Sequence, residues 1–209
     1  TCGNSQNEHN WAVISIKTVT NYIYYDFNGG SGSAQTTTKQ GDESIAIAEA
    51  PTRTGYTFAG WNTAKNGSGK TYQPGAIYGE NAGMYLYAQW IPNKYDVSII
   101  SDNCTTSVNQ NPATYGTKVK ITADPDIGYQ VDSIEVYKTA DPTVTVSFAE
   151  TNTFIQPEYP VTVKANCSKI PYAIDKYPTA NGSFTVSDDM AGINDVVTIT
   201  PIPDEGFET

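Results

Sequence analysis

The stretch "PTRTGYTFAGWNT", residues 51–63, places two aromatic side chains between two glycines and a third directly after the second glycine. Tyr56 and Phe58 are two residues apart, so a strand would turn both side chains to the same face. Gly60 interrupts this alternation and predicts a bulge that returns Trp61 to that face. Because a buried aromatic side chain removes a large apolar area from water, the stretch predicts the core of a small β domain.

The pattern around this stretch recurs along the chain. A period-2 strand, a proline and a glycine followed by an aromatic residue occur at 43–58, 117–131 and 195–209. The glycines of this step are Gly55, Gly128 and Gly206, and a second landmark consists of Asn28, Asn103 and Asn181. Both landmarks recur at nearly the same interval, which indicates a divergent repeat of roughly 75 residues.

The repeat divides the chain into four predicted segments. Residues 1–21 are a tail or the end of a preceding domain, 22–92 and 93–170 are two repeats, and 171–209 are a partial third repeat. Short alternating strands throughout predict an all-β fold. Since a repeat cut half-way cannot complete its sheet, we expect further sequence after residue 209.

Composition narrows the class of protein. The net charge of −10 disfavours nucleic acid and anionic membrane surfaces as partners. Charged residues make up only 16%, which together with abundant Thr, Gly and Tyr is typical of a secreted β protein. No apolar run approaches the ~18–20 residues that would span a bilayer. Cys2 is either the lipidated first residue of a bacterial lipoprotein or an ordinary cysteine.

The sequence offers no catalytic constellation, and we predict no enzyme activity. The one histidine, His9, lies in the tail, so a Ser-His or Cys-His pair within a repeat is excluded. Two carboxylate pairs, Asp124 with Asp126 and Asp188 with Asp189, are interpreted as solvated loop residues. We predict no cofactor and no metal site, because no calcium loop of alternating aspartates is present.

The strand "MYLYAQW", residues 84–90, predicts two different faces. Alternation turns Met84, Leu86, Ala88 and Trp90 to one side and Tyr85, Tyr87 and Gln89 to the other. The first side is apolar and belongs to the core. Tyr85 and Tyr87 are therefore the candidate ligand-facing aromatics, because tyrosine rings can stack on sugars.

These motifs carry a resemblance to a known family. The segments "YYDFNGGSGS", "APTRTGYTFAGWNT" and "MYLYAQW" resemble the Listeria–Bacteroides repeat, the B-repeat of bacterial internalins, over 22–91. The segment "YGTKVKITADPDIGYQVDSIEV" resembles a divergent bacterial repeat of the same general type over 93–168, and "NGSFTVS" extends this likeness to 171–209. The second copy lacks the Gly-Trp pair and the terminal Trp of the first.

The resemblance implies small β-grasp-like modules strung in an elongated series on a bacterial surface. It also implies adhesion or the spacing of other domains, and it supplies no catalytic motif. In β-grasp-like sheets the first and last strands lie side by side, so the ends that carry Cys104 and Cys167 are expected to meet. Export favours oxidation, and these two residues are a candidate disulfide.

The leading hypothesis is a non-enzymatic adhesion or spacer protein, extracellular or at the cell surface, with Cys2 as a candidate lipid anchor. Linkers such as "IPNK" and "SKIPY" each contain a proline, which stiffens the junction. The alternative is a set of carbohydrate-binding modules attached to a secreted enzyme. The expected partner is a host or bacterial surface protein or a glycan, and we expect a monomer that does not insert into a membrane and binds no nucleic acid.

Overall fold

The computed structural model of the protein describes residues 17–33 and 36–208. This part of the chain consists of strands, turns and loops and contains no helix, so the all-β prediction is confirmed. The residues group into two compact units, Thr1–Ile91 and Pro92–Thr209. Most of the predicted tail, including Cys2 and His9, lies outside the described residues, and the four-segment division of the chain stays a prediction.

The first unit is built around a five-stranded sheet of order β2-β1-β7-β4-β5. Its strands are β1 (Thr20–Asp26), β2 (Thr36–Gln40), β3 (Ile45–Ala46), β4 (Tyr56–Asn62), β5 (Thr71–Tyr72), β6 (Ile77–Tyr78) and β7 (Met84–Pro92). The short strands β3 and β6 pair with each other. The first and last strands, β1 and β7, run parallel at the centre, with Ile23 level with Met84 and Asp26 level with Tyr87. This parallel pair agrees with the β-grasp-like sheet that the resemblance implies.

Trp61 lies at the centre of the first core and is fully buried. Tyr25 and Phe58 meet it edge-on, with ring centroids 4.8 and 5.4 Å away, a favoured geometry for aromatic pairs. The indole Nε1 donates to the carbonyl oxygen of Ala48 at 3.0 Å, so the one polar atom of the ring is satisfied. The stretch 51–63 therefore supplies Trp61 and Phe58 to the core, as predicted for these two residues.

Alternation along β4 breaks at Gly60, as the sequence predicts. Gly60 has a φ of +133°, and a Cβ there would lie 2.9 Å from Cγ2 of Thr71. Gly60, Trp61 and Asn62 are all buried in succession. A residue without a side chain is needed at this position, because it lets the backbone turn Trp61 inward.

Tyr56 departs from the predicted placement in the core. It is only half-buried, and the guanidinium carbon of Arg53 lies 3.9 Å from the centroid of its ring. The core cluster around Trp61 includes Phe58 but not Tyr56. Tyr56 and Phe58 lie on the same face of β4, but this face extends beyond the edge of the core. There the guanidinium of Arg53 stacks on the ring of Tyr56.

The second unit contains two four-stranded sheets, β10-β12-β16-β15 and β14-β13-β17-β9, and the pair β11-β8. Its first ten strands are β8 (Lys94–Tyr95), β9 (Val97–Asp102), β10 (Cys104–Val108), β11 (Ala113–Thr114), β12 (Lys118–Pro125), β13 (Tyr129–Lys138), β14 (Asp141–Thr145), β15 (Phe148–Glu150), β16 (Thr153–Ile155) and β17 (Val161–Lys169). Strands β9 and β17 pair in parallel, like β1 and β7. This unit has a buried cluster separate from that of the first unit. It consists of Val97, Ala113, Val119, Ile121, Val136, Phe154, Val161 and Val163.

The C-terminal segment repeats the first hairpin of the second unit. It contains β18 (Tyr172–Ala173), β19 (Gly182–Val186), β20 (Met190–Ala191) and β21 (Ile199–Pro203). Gly182 pairs with Pro203, as Cys104 pairs with Pro125 in the preceding hairpin. Ile199 is exposed, whereas Ile121, its counterpart in the preceding hairpin, is buried.

The landmarks that define the repeat are backbone turns. The three asparagines have left-handed φ values: Asn28 at 48°, Asn103 at 58° and Asn181 at 64°. The three glycines do too: Gly55 at 75°, Gly128 at 81° and Gly206 at 87°. Asparagine and glycine tolerate this region better than other residues, which explains why they recur at positions where the surrounding sequence diverges.

A disulfide joins Cys104 to Cys167, with Cα atoms 6.3 Å apart. Cys104 begins β10, just after the end of β9, and Cys167 directly follows Asn166, which is level with Asp102 of β9. The parallel pairing of β9 with β17 therefore brings the two sulfur atoms together. The bond closes a loop with a sequence separation of 63 residues, which corresponds to about 4 kcal/mol in a chain-entropy estimate.

Replacing Trp61 by alanine is expected to unfold the first unit and leave the second folded. Truncating a buried tryptophan costs about 3–5 kcal/mol, and a domain of this size has little stability to lose. Amide hydrogen exchange read by mass spectrometry should show lost protection confined to residues before Pro92. Ile77→Ala, at an exposed site in the same unit, is the control and should change stability by less than about 0.5 kcal/mol. Equal loss of protection in both units would contradict separate cores.

The disulfide predicts a specific pattern of alkylation. The chain has three cysteines, so in protein made without lipid at Cys2, iodoacetamide in denaturant should modify only Cys2 when no reductant is present. After reduction all three cysteines should react. The measurement is the mass of the intact chain purified under oxidising conditions. Three adducts without reductant would contradict the bond, and a Cys167→Ser variant should show two.

Candidate functional site

A face of exposed tyrosines covers the two central strands of the first unit. Ile23 and Tyr25 of β1 point into the core, so Tyr22 and Tyr24 point outward. On β7 the buried residues Leu86 and Ala88 leave Tyr85 and Tyr87 on the same outer side. We call Tyr22, Tyr24, Tyr85 and Tyr87 the tyrosine face.

The parallel register of β1 with β7 brings these side chains together. Tyr24 is level with Tyr85, and their rings stack at 4.6 Å with an interplanar angle of 16°. Tyr22 stacks on Tyr24 at 6.1 Å and 21°. The exposed fractions are 46% for Tyr22, 36% for Tyr24 and 57% for Tyr85. The rings therefore form a ridge of stacked side chains and not a flat platform.

Beside the ridge is an open depression of about 600 Å³. Most of its aromatic lining comes from β1 and β7, and its polar lining comes from the end of β1, the turn that follows and the start of β2. The lining residues are Tyr24, Tyr25, Asp26, Phe27, Asn28, Gly29, Gly30, Thr36, Tyr85 and Tyr87. Its volume falls in the range of about 300–1,000 Å³ that is usual for small-ligand sites. The combination of aromatic rings with a few polar groups also fits that class of site.

The polar side of the depression is held in place by hydrogen bonds. The backbone N–H of Asn28 donates to Oδ1 of Asp26 at 2.8 Å. The side-chain amide of Asn28 donates to the carbonyl oxygen of Ala88 at 3.0 Å, which ties the turn to β7. Arg53 donates to the backbone oxygen of Asn28 at 3.3 Å. The Asp26 carboxylate and the Arg53 guanidinium thus both form hydrogen bonds with the backbone of Asn28, in the turn after β1.

The structure places the two tyrosines named from the sequence on this outer face, with Tyr85 exposed and Tyr87 half-buried. Their role as ligand-facing residues stays a prediction. Sequence reasoning missed Tyr22, Tyr24 and Asp26. The signal was present in the alternation of "NYIYYDF" (21–27), but only the parallel pairing of β1 with β7 shows that these residues join the same face.

The two carboxylate pairs noted in the sequence, Asp124 with Asp126 and Asp188 with Asp189, form no comparable site. Asp124 lies at the end of β12 and not in a loop, and all four carboxylates are exposed. Asp189 forms an ion pair with Lys176 at 2.6 Å. Within 17–33 and 36–208, no three His, Cys, Asp or Glu side chains are grouped so that they could hold a metal ion.

A buried lysine links two loops of the first unit by hydrogen bonds. Lys39 is 1% exposed, and its Nζ donates to the carbonyl oxygens of Gly41 and Glu80 at 2.6 Å each. It thereby joins the loop after β2 to the loop before β7. Tyr78 lies nearby, with the Lys39 Nζ 5.6 Å from its ring centroid. Burial raises the pKa of the Tyr78 hydroxyl, and the charge of Glu80 raises it further.

The fold and its repeated turns define a tandem β-repeat protein. Residues 22–89 match the Listeria-Bacteroides repeat domain, and residues 95–171 match the Divergent InlB B-repeat domain. These two adjoining segments of the chain belong to those repeat families, as the sequence motifs predict. The partial third repeat stays a prediction.

Two relatives come from Evansella cellulosilytica. One, provisionally named a membrane protein, is 35% identical over 151 residues, which cover 68% of this chain and 22% of the relative. The other, provisionally named a Gly-rich membrane protein, is 42% identical over 73 residues, which cover 34% of this chain and 8% of the relative. The chain thus spans less than a quarter of either relative. No solved structure matches it significantly.

Proposed function

We propose that this chain is a non-enzymatic adhesion or spacer segment of a longer bacterial protein that is secreted or held at the cell surface. The support is the pair of repeat families, which are generally non-catalytic and of a type found in surface or secreted proteins. Relatives named as membrane proteins agree with attachment to the cell envelope. The described residues include no helix with the length and apolarity to cross a bilayer. Cys2 remains the candidate lipid attachment site.

One observation carries the spacer role: each unit contains two parallel strands that are far apart in sequence, β1 with β7 in the first unit and β9 with β17 in the second. In a parallel pair the chain enters at one end of the sheet and leaves at the opposite end. In the first unit Met84 is level with Ile23, so the start of β1 and the end of β7 lie about 36 Å apart at ~3.3 Å per residue. In the second unit Val161 is level with Val97, and the distance to Lys169 is about 26 Å by the same estimate. Each unit therefore adds length.

The same pairing suits a segment that carries tension. Force applied through the ends of the first unit slides β1 along β7, so their hydrogen bonds are loaded together. In an antiparallel hairpin pulled from its two adjacent ends, the bonds would break one after another. The second unit has this parallel geometry in β9 and β17.

The disulfide gives the second unit a covalent path for that force. Tension enters through β9, crosses from Cys104 to Cys167 and leaves through the end of β17. The residues between the two cysteines are bypassed. A pulled second unit therefore cannot lengthen by the closed loop while the bond is intact.

Single-molecule pulling of the full chain from its ends tests the spacer role. Reductant should add about 220 Å to the length released by the second unit, since a loop of 63 residues extends by ~3.5 Å per residue. Cys104→Ser should show the longer release without reductant. The first unit, which has no cysteine in 22–92, is the internal control and should be unchanged. A release independent of reductant would overturn the covalent bypass.

Scattering in solution tests the elongated arrangement of modules. A compact globule of 209 residues has a radius of gyration of about 17 Å. Units that follow one another end to end should give a clearly larger value in small-angle X-ray scattering at several concentrations. A radius no larger than that of the compact globule would contradict the spacer arrangement.

A further inference from the structure

We propose that the tyrosine face and its depression bind a neutral glycan. This inference deepens the adhesive part of the proposed function and rests on it, because it names the class of molecule to which the chain attaches. The spacer role does not depend on it.

The aromatic side of the site fits the apolar face of a sugar. The C–H groups of a pyranose carry slight positive charge and approach the negative face of an aromatic ring. Tyr24 covers one face of Tyr85, yet Tyr85 remains 57% exposed, so ring surface is available beside the depression. From Tyr22 to Tyr87 the face follows the strands for about 13 Å at ~3.3 Å per residue, which suits a short oligosaccharide lying along them.

The polar side fits hydroxyl groups. Asp26 is exposed, and within this turn its carboxylate accepts a hydrogen bond from the backbone N–H of Asn28 through Oδ1. An ionised carboxylate has about four acceptor positions, so it can still accept from ligand hydroxyls. Thr36 adds a hydroxyl to the lining of the depression. Aromatic faces beside fixed acceptors form a site for a ligand with C–H faces and many O–H donors.

The local charge favours a neutral ligand. Arg53 donates a hydrogen bond to the backbone oxygen of Asn28. Its guanidinium also lies beside Gly29, and the guanidinium carbon would be 3.4 Å from the Cβ of a residue that replaced this glycine. Arg53 is outside the lining of the depression, in which Asp26 is the one charged residue among those that the structure describes. Residues 17–91 carry equal numbers of acidic and basic side chains, so the net charge of −10 arises elsewhere in the chain. An anionic ligand would be repelled by Asp26, and the balanced charge of residues 17–91 supplies no net attraction for an ion of either sign.

The test uses the full chain, biotinylated at one end and assembled on fluorescent streptavidin so that several copies bind together. Multivalent display makes weak single-site affinities detectable. The probe is an array that holds neutral glucans, mannans, galactans and N-acetylglucosamine oligomers beside sulfated and uronic acid glycans. The expected result is binding to at least one neutral glycan and at least tenfold weaker binding to charged ones.

Variants locate the site with the soluble form of the bound oligosaccharide. Tyr85→Ala should weaken binding at least tenfold, and Asp26→Asn should weaken it several-fold. Tyr177→Ala is the matched control, because Tyr177 is 75% exposed and lies in the other unit. Tryptophan fluorescence during urea unfolding shows whether the first unit of each variant is folded, since all three tryptophans precede residue 92. Tyr85→Phe, which keeps the ring, should retain most of the affinity.

Three outcomes would overturn the inference: no neutral glycan bound, preference for charged glycans, or unchanged affinity in folded Tyr85→Ala. None of them touches the spacer role, which the pulling and scattering measurements test separately. A radius of gyration no larger than that of a compact globule, together with glycan binding that depends on Tyr85, would instead contradict the spacer role and support the binding site.

Discussion

The parallel pairing of β1 with β7, and of β9 with β17, is the constraint on which the two units depend. In the first unit it sets Met84 and Leu86 beside Ile23 and Tyr25, and so closes the core around Trp61. The same register places Tyr85 beside Tyr24 on the outer side. A shift of one residue would turn both sets of side chains over. The core and the candidate binding face are thus two consequences of one register.

Much of the local structure could be predicted from the sequence, because it depends on neighbouring residues. The alternation of β7 identifies Tyr85 and Tyr87 as outward residues, and the glycine in β4 indicates that Trp61 turns inward. The recurring Asn and Gly landmarks reveal the repeat, because few residues tolerate left-handed backbone. Each of these signals depends on the backbone of only a few consecutive residues.

What the sequence did not show depends on contacts between distant segments. Tyr24 and Tyr85 lie on the first and last strands of their unit, so their stacking requires the tertiary register. Nothing in the sequence near Lys39 indicates that it is buried, yet its Nζ donates to two carbonyl oxygens from separate loops. Tyr56 reads as a core residue, but Arg53 covers its ring at the edge of the sheet. In all three cases the partner is chosen by the fold and not by local periodicity.

A domain whose ends lie on opposite sides also has a genetic consequence. An in-frame duplication of its coding segment adds one more domain between two others without requiring either neighbour to refold. Copies that arise in this way can then diverge in sequence, provided that left-handed turns such as those at Asn28 and Asn103 are kept. Natural selection can therefore adjust the reach of the parent protein by copy number alone.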